Sequence, residues 1–269
     1  MNPARSAFLS SHSLGAFALT ALMAFVAASP ARAALVDDQF IDGGLTDGAD
    51  ALDATWTSLS NTALTVGAFN STGNTSNALR VDSTATFSGT KGAFANAGAL
   101  AIGESITVSF DFRIINTAGN DGAGLRFGLS SSSNTYAFTF GTGTTTGGGM
   151  AQFGSNTVGG TNTIYTTTGT PFAINDTATH SFSFTITRTS GTSLSFLGSV
   201  DANTISAVSS NSISNFTFTS IVLGQGNTTN DFNIDNVLVS QSTIPEPSTY
   251  AALAGLAALG LVAFKRSAR

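Results

Sequence analysis

The stretch ESITVSFDFRIIN, residues 104–116, puts Ile106, Val108, Phe110, Phe112 and Ile114 on one side of the chain and Thr107, Ser109, Asp111 and Arg113 on the other. A repeat of two is the signature of an extended strand with one face buried and one wet, and a helix cannot gather these apolar residues onto one stripe. The same alternation returns at Leu125, Phe127 and Leu129, at Tyr136, Phe138 and Phe140, and at Phe182, Phe184 and Ile186. Shorter versions occur at Leu194 and Phe196 and at Phe216 and Phe218. In the run of Phe232, Ile234, Val237 and Val239 the phase changes after Asp235, which predicts a bulge near Asn236. A turn over 189–192 joins two of these segments into a hairpin. Many short strands separated by Gly, Asn, Ser and Thr predict an all-β antiparallel sandwich or barrel, with no domain boundary between 34 and 242.

The composition explains how such a fold stays soluble. Charged residues make up 9% of the 269-residue chain, against about 25% in ordinary soluble proteins. Ser and Thr together number 73, so hydroxyls do most of the solvation, while 21 Phe supply the core. The Gly-rich stretch over 141–170 keeps Met150, Phe153, Ile164 and Tyr165, which predicts long loops or edge strands rather than a linker. Cysteine is absent, which excludes disulfides, thiolate metal sites and a thiol nucleophile. Between 34 and 244 five basic residues face fourteen acidic ones, a balance of −9 that argues against nucleic acid as a partner.

Both ends read as delivery signals. Residues 1–33 carry Arg5, an apolar stretch from Leu14 to Ala28, and the small-x-small site Ala31-Arg32-Ala33. This is the build of a signal peptide cut after Ala33, with the Sec translocon and signal peptidase as partners. At the other end, 243–269 contains Pro245-Glu246-Pro247, an uncharged apolar helix predicted over 249–264, and a basic tip of Lys265, Arg266 and Arg269. Basic residues stay on the cytoplasmic side of a membrane, so the two ends specify one topology with the body, 34–242, outside.

The Pro-Glu-Pro, apolar helix and Arg-containing tip together resemble the PEP-CTERM sorting signal of exported bacterial proteins. That resemblance implies transient anchoring in the inner membrane of a Gram-negative-type cell and cleavage near Pro245–Pro247 by an exosortase. It also implies delivery to the cell surface or to an exopolysaccharide, biofilm-type extracellular matrix. The stretch from His180 through Arg188 and Gly191 to Asp201 resembles the concanavalin-like, laminin-G-like jelly rolls, as do the opening LVDDQFIDGG and the closing FNIDNVLVS. This implies an antiparallel jelly-roll β-sandwich whose first and last strands pair.

Chemistry is sparse. The chain has two Glu, Glu104 and Glu246, so the Glu pair of a glycosidase is missing, and no Gly-x-Ser-x-Gly elbow accompanies His180. Asp37, Asp38, Asp42, Asp47, Asp50 and Asp53 crowd one Gly-bearing segment. Hard oxygen donors of this kind suit calcium, and pairing of the end strands would bring Asp235 towards Asp37 and Asp38 as a structural calcium site. Trp56, Tyr136 and Tyr165 are the candidate platforms for stacking on a sugar, with Trp56 fitting a core position better, since Trp is highly buried on average. The expectation is a non-enzymatic structural or adhesive sandwich without catalytic residues. A lectin-like exopolysaccharide binder is the alternative, and a hydrolase working through Asp residues is the third reading.

Overall fold

In the computed structural model, β6 (Ser105–Ile114) alternates along its whole length, with its five apolar side chains buried and the residues between them half-buried. The structure describes residues 32–46, 52–69, 77–85, 88–95, 97–115, 124–140, 149–154, 163–169, 174, 176–225 and 231–242. The predicted helix over 249–264 and the leader up to Ala31 lie outside them. Among the described residues there is no α-helix, and so none long and apolar enough to cross a membrane.

Two antiparallel sheets form the body. Among the described residues the larger has nine strands. Its order is β11 (Thr167–Gly169), β14 (Asn203–Val208), β13 (Leu194–Val200), β12 (Thr179–Arg188), β6, β16 (Phe232–Ser242), β4 (Ala78–Ser83) and β3 (Thr62–Gly67). The ninth strand, β1 (Arg32–Asp38), pairs with the second half of β16. The smaller sheet runs β10 (Thr163–Tyr165), β9 (Gly149–Gly154), β8 (Asn134–Thr139), β7 (Leu125–Ser131), β15 (Phe218–Gln225), β5 (Gly89–Ala93) and β2 (Thr55–Ser60). Neighbours far apart in sequence, such as β6 and β16 or β7 and β15, make this a two-sheet sandwich of jelly-roll character rather than a meander. The first and last strands pair, as the resemblance implied.

The phase change in β16 is a bulge. Pairing with β6 shifts between Asp235 and Leu238, and Asn236 takes φ +56°, a left-handed conformation that Asn tolerates. The bulge divides the strand: 232–234 pairs with β4, and 237–242 pairs with β1. The Gly-rich stretch contributes β9, β10 and β11, the last two being the outermost strands of the two sheets.

Between the sheets the Phe residues interlock. The Phe127 ring lies 5.2 Å from Phe110, Phe112 and Phe140, 5.3 Å from Phe182 and 5.4 Å from Phe232. Most of these contacts are edge-to-face, the favoured geometry for ring quadrupoles, worth about 0.5–1.5 kcal/mol each beyond burial. Such bulk needs a gap opposite. A Cβ on Gly198 would stand 2.3 Å from the Phe138 ring, so β13 carries Gly where its pattern calls for an apolar side chain.

The two outer faces differ. On the smaller sheet, outward positions such as Ala137, Ala151, Phe153 and Val222 are buried too. On the larger sheet, the outward positions of β6, β12, β13 and β14 are mainly Ser and Thr, and they are half-buried or exposed.

Candidate functional site

The acidic segment near the start of the body is a structural clamp. Asp38, 3% exposed at the end of β1, accepts hydrogen bonds from the Phe40 N–H at 3.0 Å, the Ala54 N–H at 3.3 Å and the Trp56 indole N–H at 2.8 Å. Burial pushes its carboxyl above the ordinary 3.8, against the pull of these three donors. Asp37 is exposed, paired with Leu238, and accepts from the Gln39 amide at 3.0 Å. Asp235 faces the neighbouring strand, opposite Asp111 on β6, and its Oδ1 takes the Asn236 N–H at 2.7 Å. The expected calcium site is thus not assembled from Asp37, Asp38 and Asp235. Strand register sets Leu238 and Val237, not Asp235, beside Asp37 and Asp38, and three N–H donors consume the oxygens of Asp38. Among the described residues no group of three or more His, Asp or Glu is placed to hold a metal ion, and Asp47 and Asp50 lie outside them.

The proposed sugar platforms face inward. Trp56, Tyr136 and Tyr165 are 2%, 1% and 2% exposed, so none offers a ring face to solvent. Trp56 packs over Gly92, where a Cβ would stand 2.9 Å from its ring. Tyr136 and Tyr165 both stack on Phe196, with centroids 5.5 and 5.1 Å away, and the Tyr165 hydroxyl lies 2.8 Å from Gln152 Oε1. Core packing and a buried polar network take these rings.

His180, at the start of β12, is held on both sides. Its Nδ1 lies 2.8 Å from Asp201 Oδ2 and its Nε2 2.9 Å from Asp176 Oδ1, with the ring tilted over Phe112 at 5.5 Å. Burial disfavours the imidazolium, but the hydrogen bonds and charges of Asp201 and Asp176 outweigh it, and the pKa rises above 6.5. Asp176 is correspondingly lowered below 3.8 by its bond to His180 and by the Ala178 N–H. With both nitrogens engaged by carboxylates, the ring has no lone pair with which to activate a hydroxyl. The neighbouring Ser181 hydroxyl donates instead to Asp111 at 2.7 Å. Asp111 and Asp235 stand opposite each other, but Asp235 is 1% exposed and the Asp111 carboxylate is held by Ser181 and Asn236.

An open concavity lies elsewhere, on the outer face of the larger sheet. A groove of about 650 Å³ crosses β12, β13 and β14 towards β11. Thr168, Thr185, Thr187, Ser195 and Ser206 present hydroxyls to it, and Leu197 and Val208, 50% and 59% exposed, present its apolar surface. Register aligns these side chains in rows: Thr185, Leu197, Ser206 and Thr168 form one, and Thr187, Ser195 and Val208 the next. Among the described residues no charged side chain lines the groove. Sequence reasoning missed it, although the outward half of each alternating strand carried the signal as Ser or Thr.

Residues 243–267 match the PEP-CTERM protein-sorting motif. The chain carries a PEP-CTERM sorting signal. This motif marks an exported, surface-destined protein and implies processing by an exosortase. No curated protein matches the chain significantly in sequence. Among solved structures, the T. cruzi calreticulin globular domain is similar at 11% identity and a TM-score of 0.49, over 87% of this chain and 97% of that one. A carbohydrate esterase from the Shiga toxin-encoding bacteriophage phi24B is similar at 11% identity and a TM-score of 0.48, over 79% and 100%. Peanut lectin is similar at 11% identity and a TM-score of 0.46, over 80% and 98%. At these values the likeness concerns neither ligand nor chemistry.

Proposed function

We propose that this PEP-CTERM-bearing protein is a lectin-like polysaccharide binder, exported through its N-terminal signal, released near Pro245–Pro247 and held in the exopolysaccharide at the cell surface. The observation that carries this reading is the hydroxyl-lined groove on the larger sheet, an uncharged concavity with Leu197 and Val208 among its hydroxyls. A hydroxyl both donates and accepts, as a sugar hydroxyl does, so rows of Ser and Thr offer a pyranose ring partners whichever way its own hydroxyls point. The groove falls within the roughly 300–1,000 Å³ range of ligand sites, so a few sugar units fit. The fold is the scaffold, and no hydrolytic step is assigned to it. The test is retention of the full chain, purified in mild detergent, on a panel of bacterial and plant polysaccharides. Retention by none of them overturns the reading.

A second reading, a structural or adhesive sandwich without a glycan ligand, is favoured by one observation. Among the described residues no Trp, Tyr or Phe ring is exposed, and aromatic faces are the usual apolar partner of a sugar. The same panel separates the two.

A further inference from the structure

Resting on the polysaccharide reading, we infer that the groove takes a neutral polysaccharide, held by hydroxyl hydrogen bonds and aliphatic contact, with no metal ion and no aromatic stacking. The first argument is charge. Among the described residues the groove is lined by outward Thr, Ser, Leu and Val side chains and by the buried Phe196 and Ala207 beneath them, with no Lys or Arg, so these residues offer a carboxylated or sulfated polymer no counter-charge. The outward charges of β6, Asp111 and Arg113, lie at one end of that strand, and the outward positions of β12 are Ser and Thr. The chain as a whole carries a net charge of −5, which repels polyanions at long range.

The second argument is hydrogen-bonding capacity. The Thr187 and Ser195 hydroxyls, directly opposite each other on β12 and β13, make no hydrogen bond among the described residues. Thr185, in the next row, is bonded through its hydroxyl to Thr107 on β6 at 2.9 Å, which fixes its orientation. The free pair faces the ligand and the bonded pair stiffens the floor.

The third is apolar area. Leu197 sits between Thr185 and Ser206 in one row, and Val208 is opposite Ser195 in the other. Aliphatic side chains this exposed leave apolar area in water at a cost of about 25 cal/mol per Å². The C–H face of a sugar ring covers such area while the ring's edge reaches the flanking hydroxyls. A metal-bridged mode would need carboxylates in the groove, and among the described residues the lining has none.

Affinity electrophoresis of the full chain in mild detergent tests this, with dextran, laminarin and galactomannan as neutral probes and alginate and polygalacturonate as anionic ones. The expected result is retardation by at least one neutral polymer, unchanged by a chelator or by 0.5 M salt, about that ionic strength at which surface electrostatics are largely screened. Leu197→Asp and Val208→Asp each weaken it at least tenfold. Leu238→Asp, 39% exposed on the same sheet but three strand spacings from Leu197, roughly 14 Å, leaves it unchanged. Thr187→Val, which exchanges one hydroxyl for a methyl at nearly constant volume, weakens it severalfold and serves if either Asp variant fails to fold. Retention by a neutral polymer that survives Leu197→Asp and Thr187→Val alike, stronger retention by alginate, or loss with chelator each overturn this inference while leaving polysaccharide binding intact. Retention by no polymer overturns both.

Discussion

His180 ties three pieces of the larger sheet together, and the tie has a pH window that can be worked out. The ring bridges the segment holding Asp176 and the β13–β14 turn, where Asp201 takes φ +52° and its other oxygen accepts the Ser181 N–H at 3.0 Å. The charges packed around this corner are Asp111 and Arg113 on β6, with the Arg113 guanidinium donating to the Thr177 carbonyl at 2.7 Å. Replacement of His180 by Phe keeps a ring over Phe112 and removes both bridges. A hydrogen bond to a charged group contributes about 1.5–3 kcal/mol when shielded. The carboxylates of Asp176 and Asp201 are 61% and 47% exposed and regain water when released, so the two bridges together are discounted to about 1–2 kcal/mol. For a domain of this size that is a fall in Tm of about 2–8 °C. The sign follows from the directions of the two shifts. The His180 pKa is raised, so its contribution is complete below the unfolded value near 6.5 and is lost as pH rises through the higher folded value. The Asp176 pKa is lowered, so its contribution is present above 3.8 and is lost as pH falls through the lower folded value. The difference in Tm between the native chain and His180→Phe is therefore largest between about pH 4 and 6.5, and it shrinks at pH 9. Thermal melts followed by circular dichroism at pH 5.5 and 9 read it directly. An equal difference at both values would refute the idea that the bridges depend on a charged imidazole.

Four further outcomes follow from the packing and from the sorting motif. Trp56→Phe leaves the buried Asp38 carboxylate without its 2.8 Å indole donor and lowers stability by about 1–3 kcal/mol, measured by urea unfolding. Asp38→Asn is destabilising in the same titration despite removing a buried charge, because its NH2 replaces one carboxylate oxygen and sets a donor against N–H groups that meet an acceptor in the native chain. Gly198→Ala forces a methyl to 2.3 Å from the Phe138 ring and costs about 1–3 kcal/mol, read in the same urea titration, with no gain in polysaccharide affinity to offset it. Mass spectrometry of the protein recovered from the cell surface shows a C-terminus near Pro245–Pro247 rather than at Arg269, and an intact Arg269 terminus would count against exosortase processing.

Period two was enough to place β6, β12 and the bulge in β16, because in each the apolar side chains themselves alternate. It was not enough for β5, whose sequence GTKGA has no apolar alternation. That strand is buried because Trp56 of β2 lies across Gly92, and the apolar bulk comes from the neighbour. Phe69 apart, which is half-buried, every described Phe, Tyr and Trp is buried, so an aromatic chosen as a ligand platform from the sequence was set against the strongest packing pressure in the chain. The Asp cluster failed for a different reason. Composition shows how many carboxylates share a segment but not which donors converge on each, and for Asp38 they are two backbone N–H groups and an indole. The groove was hidden by register. Ser and Thr at outward positions were visible, but only the pairing of β11, β14, β13 and β12 brings Leu197 and Val208 into line with them.

The groove and the delivery signals meet in the charge balance. Of the ten basic residues, five lie between 34 and 244, and the tip beyond the PEP-CTERM cleavage region carries Lys265, Arg266 and Arg269. Processing at both ends would leave fourteen acidic residues against those five. A product of that charge is repelled by acidic matrix polymers at distances up to about the Debye length of 8–10 Å at physiological salt. Within that range only contacts that do not depend on charge can retain it, and the hydroxyl rows around Leu197 and Val208 are contacts of that kind. Raising salt should therefore leave retention by a neutral polymer unchanged and reduce the exclusion from an acidic one, two opposite predictions for the same molecule in the same titration.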